Sequence, residues 1–220
     1  MAIMAVIIAC TTGIACIQSK QESGRKDRQD NELAQKKWTA EVEKMAAKEA
    51  KRLAKEGWQV APGALPLRKQ LERAYHMQYD YKENLFPKYV MGEASSIGDN
   101  YDAAKTAALS LAITNLANQI QTEVTVLVEN SVANHQLSQE DAASIYETLL
   151  ASEDQISQSI GRVKPVVECY RVNSKNKSEV LIRVAYDGDL AKEAAKNAIR
   201  EELEKKGDKL NEQLDQIICC

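Results

Sequence analysis

The sequence predicts an α+β fold. A small, mostly antiparallel sheet of three or four strands packs on long amphipathic helices, with helical arms at both ends. Three observations lead there. Residues 101–131 place Leu109, Ile113, Leu116, Ile120, Val124 and Leu127 at steps of three or four on one helix face, with no Gly or Pro between them. Two later stretches, 163–172 and 179–186, alternate in polarity on either side of a turn-forming segment, 173–178. Aromatic residues make up only 5% of the chain while alanine-rich runs are plentiful, so helix should dominate.

The 220 residues suit one domain with extensions. A net charge of -3, from 29 basic and 32 acidic residues, gives no electrostatic reason to bind nucleic acid. The chain divides by composition into a leader (1–17), a charged helical arm (18–57), an α+β core (58–200) and a charged helical tail (201–220).

The leader, MAIMAVIIACTTGIACI, is apolar and uncharged, and turns polar at Gln18. It sits at the short edge of what spans a bilayer and fits an export signal better. Ile7-Ile8-Ala9-Cys10 resembles a bacterial lipobox, whose cysteine is lipidated, and Gly13-Ile14-Ala15-Cys16 is a poorer match. Cys10 and Cys16 are therefore the lipidation candidates, with plain cleavage near Ala15 as the other outcome. No Lys or Arg precedes the run. Cys169 and the terminal Cys219 and Cys220 form no disulfide framework with them.

The arm carries ten positive and seven negative charges between residues 25 and 56. Trp38, Val42, Met45, Ala46, Ala50 and Leu53 make a thin apolar line, and Gly57 ends it. Mixed charge signs argue against phosphate binding; docking on its own domain is the expectation. Residues 58–66 are turn-like, and Pro66 opens a short helix to about Tyr79. Five of the 11 aromatics follow between residues 75 and 89. Tyr75, Tyr79, Tyr81 and Tyr89 are the best ligand-binding candidates, although such rings often clasp a connecting segment onto a core.

Residues 89–95 read as a strand turning at Gly98, with Asp99 or Asn100 capping the central helix. The alanines at 103, 104, 107, 108, 112 and 117 flank its apolar stripe and admit a close neighbour. Ser138 to Asp141 resembles a capping box, opening a second helix through Ile160 to Gly161. In the hairpin, Val166, Glu168, Tyr170 and Val172 share the buried face with Val180, Ile182, Val184 and Tyr186. Cys169, Arg171, Arg183 and Ala185 take the wetter face. Asp187-Gly188-Asp189 caps a last helix, and Leu203, Leu210, Leu214 and Ile217 leave the tail as a weakly striped arm.

No nucleophile elbow, zinc motif, phosphate loop or dinucleotide fingerprint occurs, and His76 and His135 pair with no ligand at metal spacing. The expectation is a protein that is not an enzyme, with no cofactor and no metal.

Gly92-Glu93-Ala94, then Asp102, Lys105, Ala108, Ala112, Leu116 and Ile120, then Glu168-x-Tyr170 and the 180–186 strand, resemble a bacterial envelope domain. It is that of the small membrane-associated lipoproteins, related to the amino-terminal part of the flagellar assembly protein T. The resemblance covers residues 87–200. It implies a Gly-rich strand leading into a long Ala-rich helix, two later strands completing the sheet, and no catalytic residues. It also implies attachment to the envelope.

Together these features suggest an exported, lipid-anchored envelope protein, in the periplasm or on the outer membrane, acting as a non-enzymatic structural or interaction module. Its partners would be the membrane, through an N-terminal lipid, and envelope proteins or a second copy, not nucleic acid. The alternative is a periplasmic binding protein taking a glycan or peptide at the tyrosines.

Overall fold

The computed structural model describes residues 11–81, 86–161, 163–206 and 211–218. Its elements run α1 (Thr11–Lys55), α2 (Leu67–Gln78), β1 (Tyr89–Gly98), α3 (Tyr101–Ala133), α4 (Gln139–Ala151) and α5 (Glu153–Ser159). Then come β2 (Lys164–Val172), β3 (Ser178–Asp187), α6 (Gly188–Lys206) and α7 (Asn211–Ile218). The strands form one antiparallel sheet in the order β1-β3-β2, so the class is α+β. Cys10, Cys219 and Cys220 lie outside the described residues; Cys16 falls in α1.

The chain forms two compact units, Met1–Lys44 and Met45–Cys220. The first contains most of α1, on which Thr39 donates a side-chain hydrogen bond to the Gln35 carbonyl one turn back. The boundary falls inside α1, not at Gly57, where the apolar line ends. In the second unit Ala46 and Leu53 are buried in a core of that unit, so the last turns of the helix belong to it.

Helix α3 begins where Asn100, in extended backbone, accepts a hydrogen bond on Oδ1 from the Ala103 N–H. The alanines do more than flank its stripe. Ala104, Ala108 and Ala112 are fully buried on the line that meets β1, together with Leu116, Ile120, Val124 and Val128. Leu109, Ile113 and Leu127 are only partly covered. A side chain on Gly92 would collide with the Ala112 carbonyl and sit 2.7 Å from Leu116 Cβ, so strand and helix touch backbone to backbone.

Both faces of the sheet are covered, where the alternation suggested a wetter second face. Val180, Ile182 and Val184 join α3, α4, α5, α6 and α7 in the larger core. On the other face Val166, Val167 and Cys169 pack with Ala46, Leu53, Trp58, Leu71 and Ala74. Val166 therefore lies opposite to its expected side. The pairing of β2 with β3 shifts between Pro165 and Val167, and this bulge turns two successive valines to one face.

Two further differences are local. The expected single helix from Ala142 to Ile160 breaks at Ser152, whose buried hydroxyl donates to the Thr148 carbonyl at 2.7 Å. The tail is no free arm. Leu203, Leu214, Ile217 and Ile218 are buried in the larger core, because α7 packs back on α6 and α3.

Candidate functional site

The four candidate tyrosines divide into two pairs with different surroundings. Tyr75, on the last turn of α2, donates its hydroxyl to Glu49 Oε2 at 2.7 Å. Burial and then this carboxylate push its phenol up to about pH 12, so it stays neutral. Tyr79 stacks on Tyr75, ring centroids 6.3 Å apart. Neither is in the lining of the hollow that the other pair forms. Tyr81 and Tyr89 do: with Gln78, Pro87, Val90, Met91, Gln119 and Glu123 they surround a hollow of about 230 Å³ between the end of α2, β1 and α3. A backbone bridge between Tyr81 and Pro87 and the Lys88 N–H to Asp80 carbonyl bond hold its mouth. Gln119 donates to Glu123 Oε1 at 2.8 Å on the far wall. Such a hollow offers two ring faces, amides and one carboxylate to a small polar guest or to a single side chain.

Beneath α1 and α2 lies a charge cluster that periodicity did not reveal. Arg183 on β3 donates to Glu93 Oε2, its cross-strand partner, at 2.5 Å and reaches Glu49 Oε1 at 3.4 Å. Its guanidinium lies 5.9 Å from the Tyr75 ring centroid. Burial opposes the charge of Arg183, but the two carboxylates outweigh it and raise its pKa. Its Nη1 is buried with no hydrogen-bond acceptor in reach among the described residues. The residue that would have given the cluster away is Glu49, which sits 134 positions from its arginine.

A second cluster joins β2 to the start of α3. Glu168 accepts from Lys105 Nζ at 2.7 Å and from the Tyr101 hydroxyl, while its own N–H donates to Gln70 Oε1 at 2.7 Å. Tyr101 meets Tyr170 edge to face, and burial with the Glu168 bond raises its pKa. The cation on Glu168 is thus the helical Lys105 and not an arginine of the sheet. Arg171 stacks 4.6 Å from the Trp58 ring centroid and pairs with Glu179 at 2.7 Å. Glu49 with Arg183 and Lys105 with Glu168 join a helix to the sheet, whereas Arg171 with Glu179 and Arg183 with Glu93 pair neighbouring strands.

Cys169 is a buried free thiol whose pKa burial pushes up to about 12, which leaves almost no thiolate near neutral pH. Among the described residues no group of three His, Cys, Asp or Glu is placed to hold a metal ion, and no helix is long and apolar enough to cross a membrane. Large apolar side chains stand exposed at several places, among them Leu65, Leu111, Val172 and Leu190. Leu150, 73% exposed, and Val126 rim a groove of about 570 Å³ between α3 and α4, lined also by Tyr146, Leu149, Thr122 and Thr125. Ile97, 56% exposed, stands near the end of β1.

No known family model matches this chain, and no curated protein matches it either.

Proposed function

We propose that this is an exported bacterial envelope protein, lipid-anchored through Cys10 or Cys16, that works as a non-enzymatic interaction module. Export and anchoring rest on the uncharged apolar run of residues 1–17 with its two cysteine-ending small-residue segments. The interaction reading rests on how the second unit uses its side chains. Its half-buried charges, Arg183 with Glu49 and Glu93 and Glu168 with Lys105, join its own helices and strands, whereas Leu150, Val126 and Ile97 face outward. Open apolar surface of this kind suits contact with another macromolecule better than acid–base chemistry.

Mass spectrometry of the intact protein, purified from native membrane and soluble fractions, tests this. The expected species begins at Cys10 or Cys16, carries a diacylglyceryl thioether and stays with membranes. A Ser substitution at the modified cysteine should release it. A chain starting near Ile17 without lipid would keep export and remove the anchor. An unprocessed chain in the cytosolic fraction would overturn the reading.

A further inference from the structure

The two edges of the sheet are built differently. The edge of β2 is closed. Gln59 and Tyr170 exchange both backbone hydrogen bonds at 2.8 Å, and the strand is bent by Pro165 and the bulge beside it. The edge of β1 is not. Ten residues pair with β3 in unbroken register, without proline, lysine or bulge, and among the described residues no strand pairs with the other side. Proteins that keep a sheet edge single usually blunt it with one of those devices.

We propose that this edge of β1 pairs with the same edge of a second copy of the chain, giving a six-stranded antiparallel sheet across a two-fold axis. The backbone supplies the register. Gly188 N–H donates to the Lys88 carbonyl, so alternate, even-numbered residues of β1 turn their backbone groups to β3. Tyr89, Met91, Glu93, Ser95 and Ile97 turn theirs outward. The Asn115 side chain, which reaches the Glu93 carbonyl from α3 at 2.8 Å, agrees with that parity. This carbonyl keeps a second lone pair for a partner strand.

Side chains then choose among registers. Centring the axis on Glu93 would set two carboxylates directly opposite each other, which is unfavourable. Centring it on Ala94 places Glu93 opposite Ser95 and Met91 opposite Ile97. The exposed Ile97 of one copy then arrives beside Met91 of the other, at the hollow that Tyr81, Pro87 and Tyr89 line. The contact occurs twice by symmetry, as a closed dimer requires. A second copy thus covers Ile97, one of the apolar residues the single chain leaves exposed.

The test is sedimentation velocity of the full-length protein in mild detergent, with amide hydrogen exchange on the same sample. The proposal expects a mass of twice 24.4 kDa. It expects the outward amides of Met91, Glu93, Ser95 and Ile97 to exchange at least about tenfold more slowly than in a monomer. Ser95→Pro removes an outward N–H that β3 does not use, and Ile97→Lys adds a charge at an exposed site; each should halve the mass and release those amides. Should Ser95→Pro lose its circular dichroism, Ile97→Lys decides. A wild-type monomer up to about 0.1 mM would overturn the proposal. So would a dimer with fast outward amides, or one that survives Ile97→Lys. The envelope reading is independent of either outcome, since neither measurement touches export or lipidation.

Discussion

The two faces of the sheet bury side chains by different means. Against α3 the contact is made of small residues: Gly92 under Ala112 and Leu116, with Ala104 and Ala108 along the same line. Backbones approach closely there, and the charged contact between α3 and the sheet, Lys105 with Glu168, sits at the start of the helix. Against α1 and α2 the contact mixes Leu71, Ala74, Val167 and Cys169 with the Arg183, Glu49 and Glu93 charges and the Tyr75 hydroxyl. The first face is specified by shape, since nothing larger than hydrogen fits at Gly92. The second is specified by polarity, since a shifted α1 would leave a buried guanidinium without its carboxylates.

That contrast can be broken from either side. The largest effect is expected at Gly92. Gly92→Val would drive Cβ into the Ala112 carbonyl and the Leu116 backbone, which cannot swing aside, so a loss of about 3 kcal/mol or more is expected in urea unfolding. Arg183→Met comes next, at about 2–3 kcal/mol, because it strands the covered Glu49, whereas Glu93 keeps its access to solvent. Adding Glu49→Gln to that variant should recover part of the loss. A double-mutant cycle with no such coupling would mean that the charges do not position α1.

Alkaline pH probes the polar face through Tyr75 and Cys169. In the folded protein Tyr75 holds its proton to about pH 12 against an ordinary 10.0, and Cys169 to about 12 against 9.0. The unfolded chain loses both protons earlier. Their contribution to stability is therefore complete below about pH 9, and falls as pH rises through 12. Tyr75→Phe and Cys169→Ala should each flatten that decline in chemical denaturation measured from pH 8 to 11. Thiol labelling of Cys169 at pH 8 should track unfolding only.

The smallest effect belongs to the cap of α3. Asn100→Ala removes one acceptor for the Ala103 N–H and should cost about 1 kcal/mol without altering either face. A larger loss, measured by thermal unfolding, would show that the start of α3 also governs the Tyr101–Glu168–Lys105 cluster beside it.

Much of the architecture was legible in residue order. The central helix, its Asn100 cap, the Ser138 cap, the hairpin and the last helix after Asp187 all follow from periodicity and turn chemistry, which act over a few residues. The tyrosine segment was legible as a cluster, but not its division, because Tyr75 takes its partner from α1 and Tyr89 takes its neighbours from α3. The Val166 bulge escaped for a similar reason. Alternation assumes one residue per pleat, and only pairing with β3 shows where an extra residue sits.

The sequence by itself determined where most helices and strands lie and the apolar stripe of the central helix, because those properties depend on spacing within one element. Tertiary structure decided what covers the second face of the sheet, where the charges at 49, 93 and 183 meet, and that Leu214 and Ile217 close the core instead of fraying. The physical reason is range. A helix stripe says that something must cover it, whereas the identity of the cover depends on residues a hundred or more positions away, and only folding brings those within a hydrogen bond.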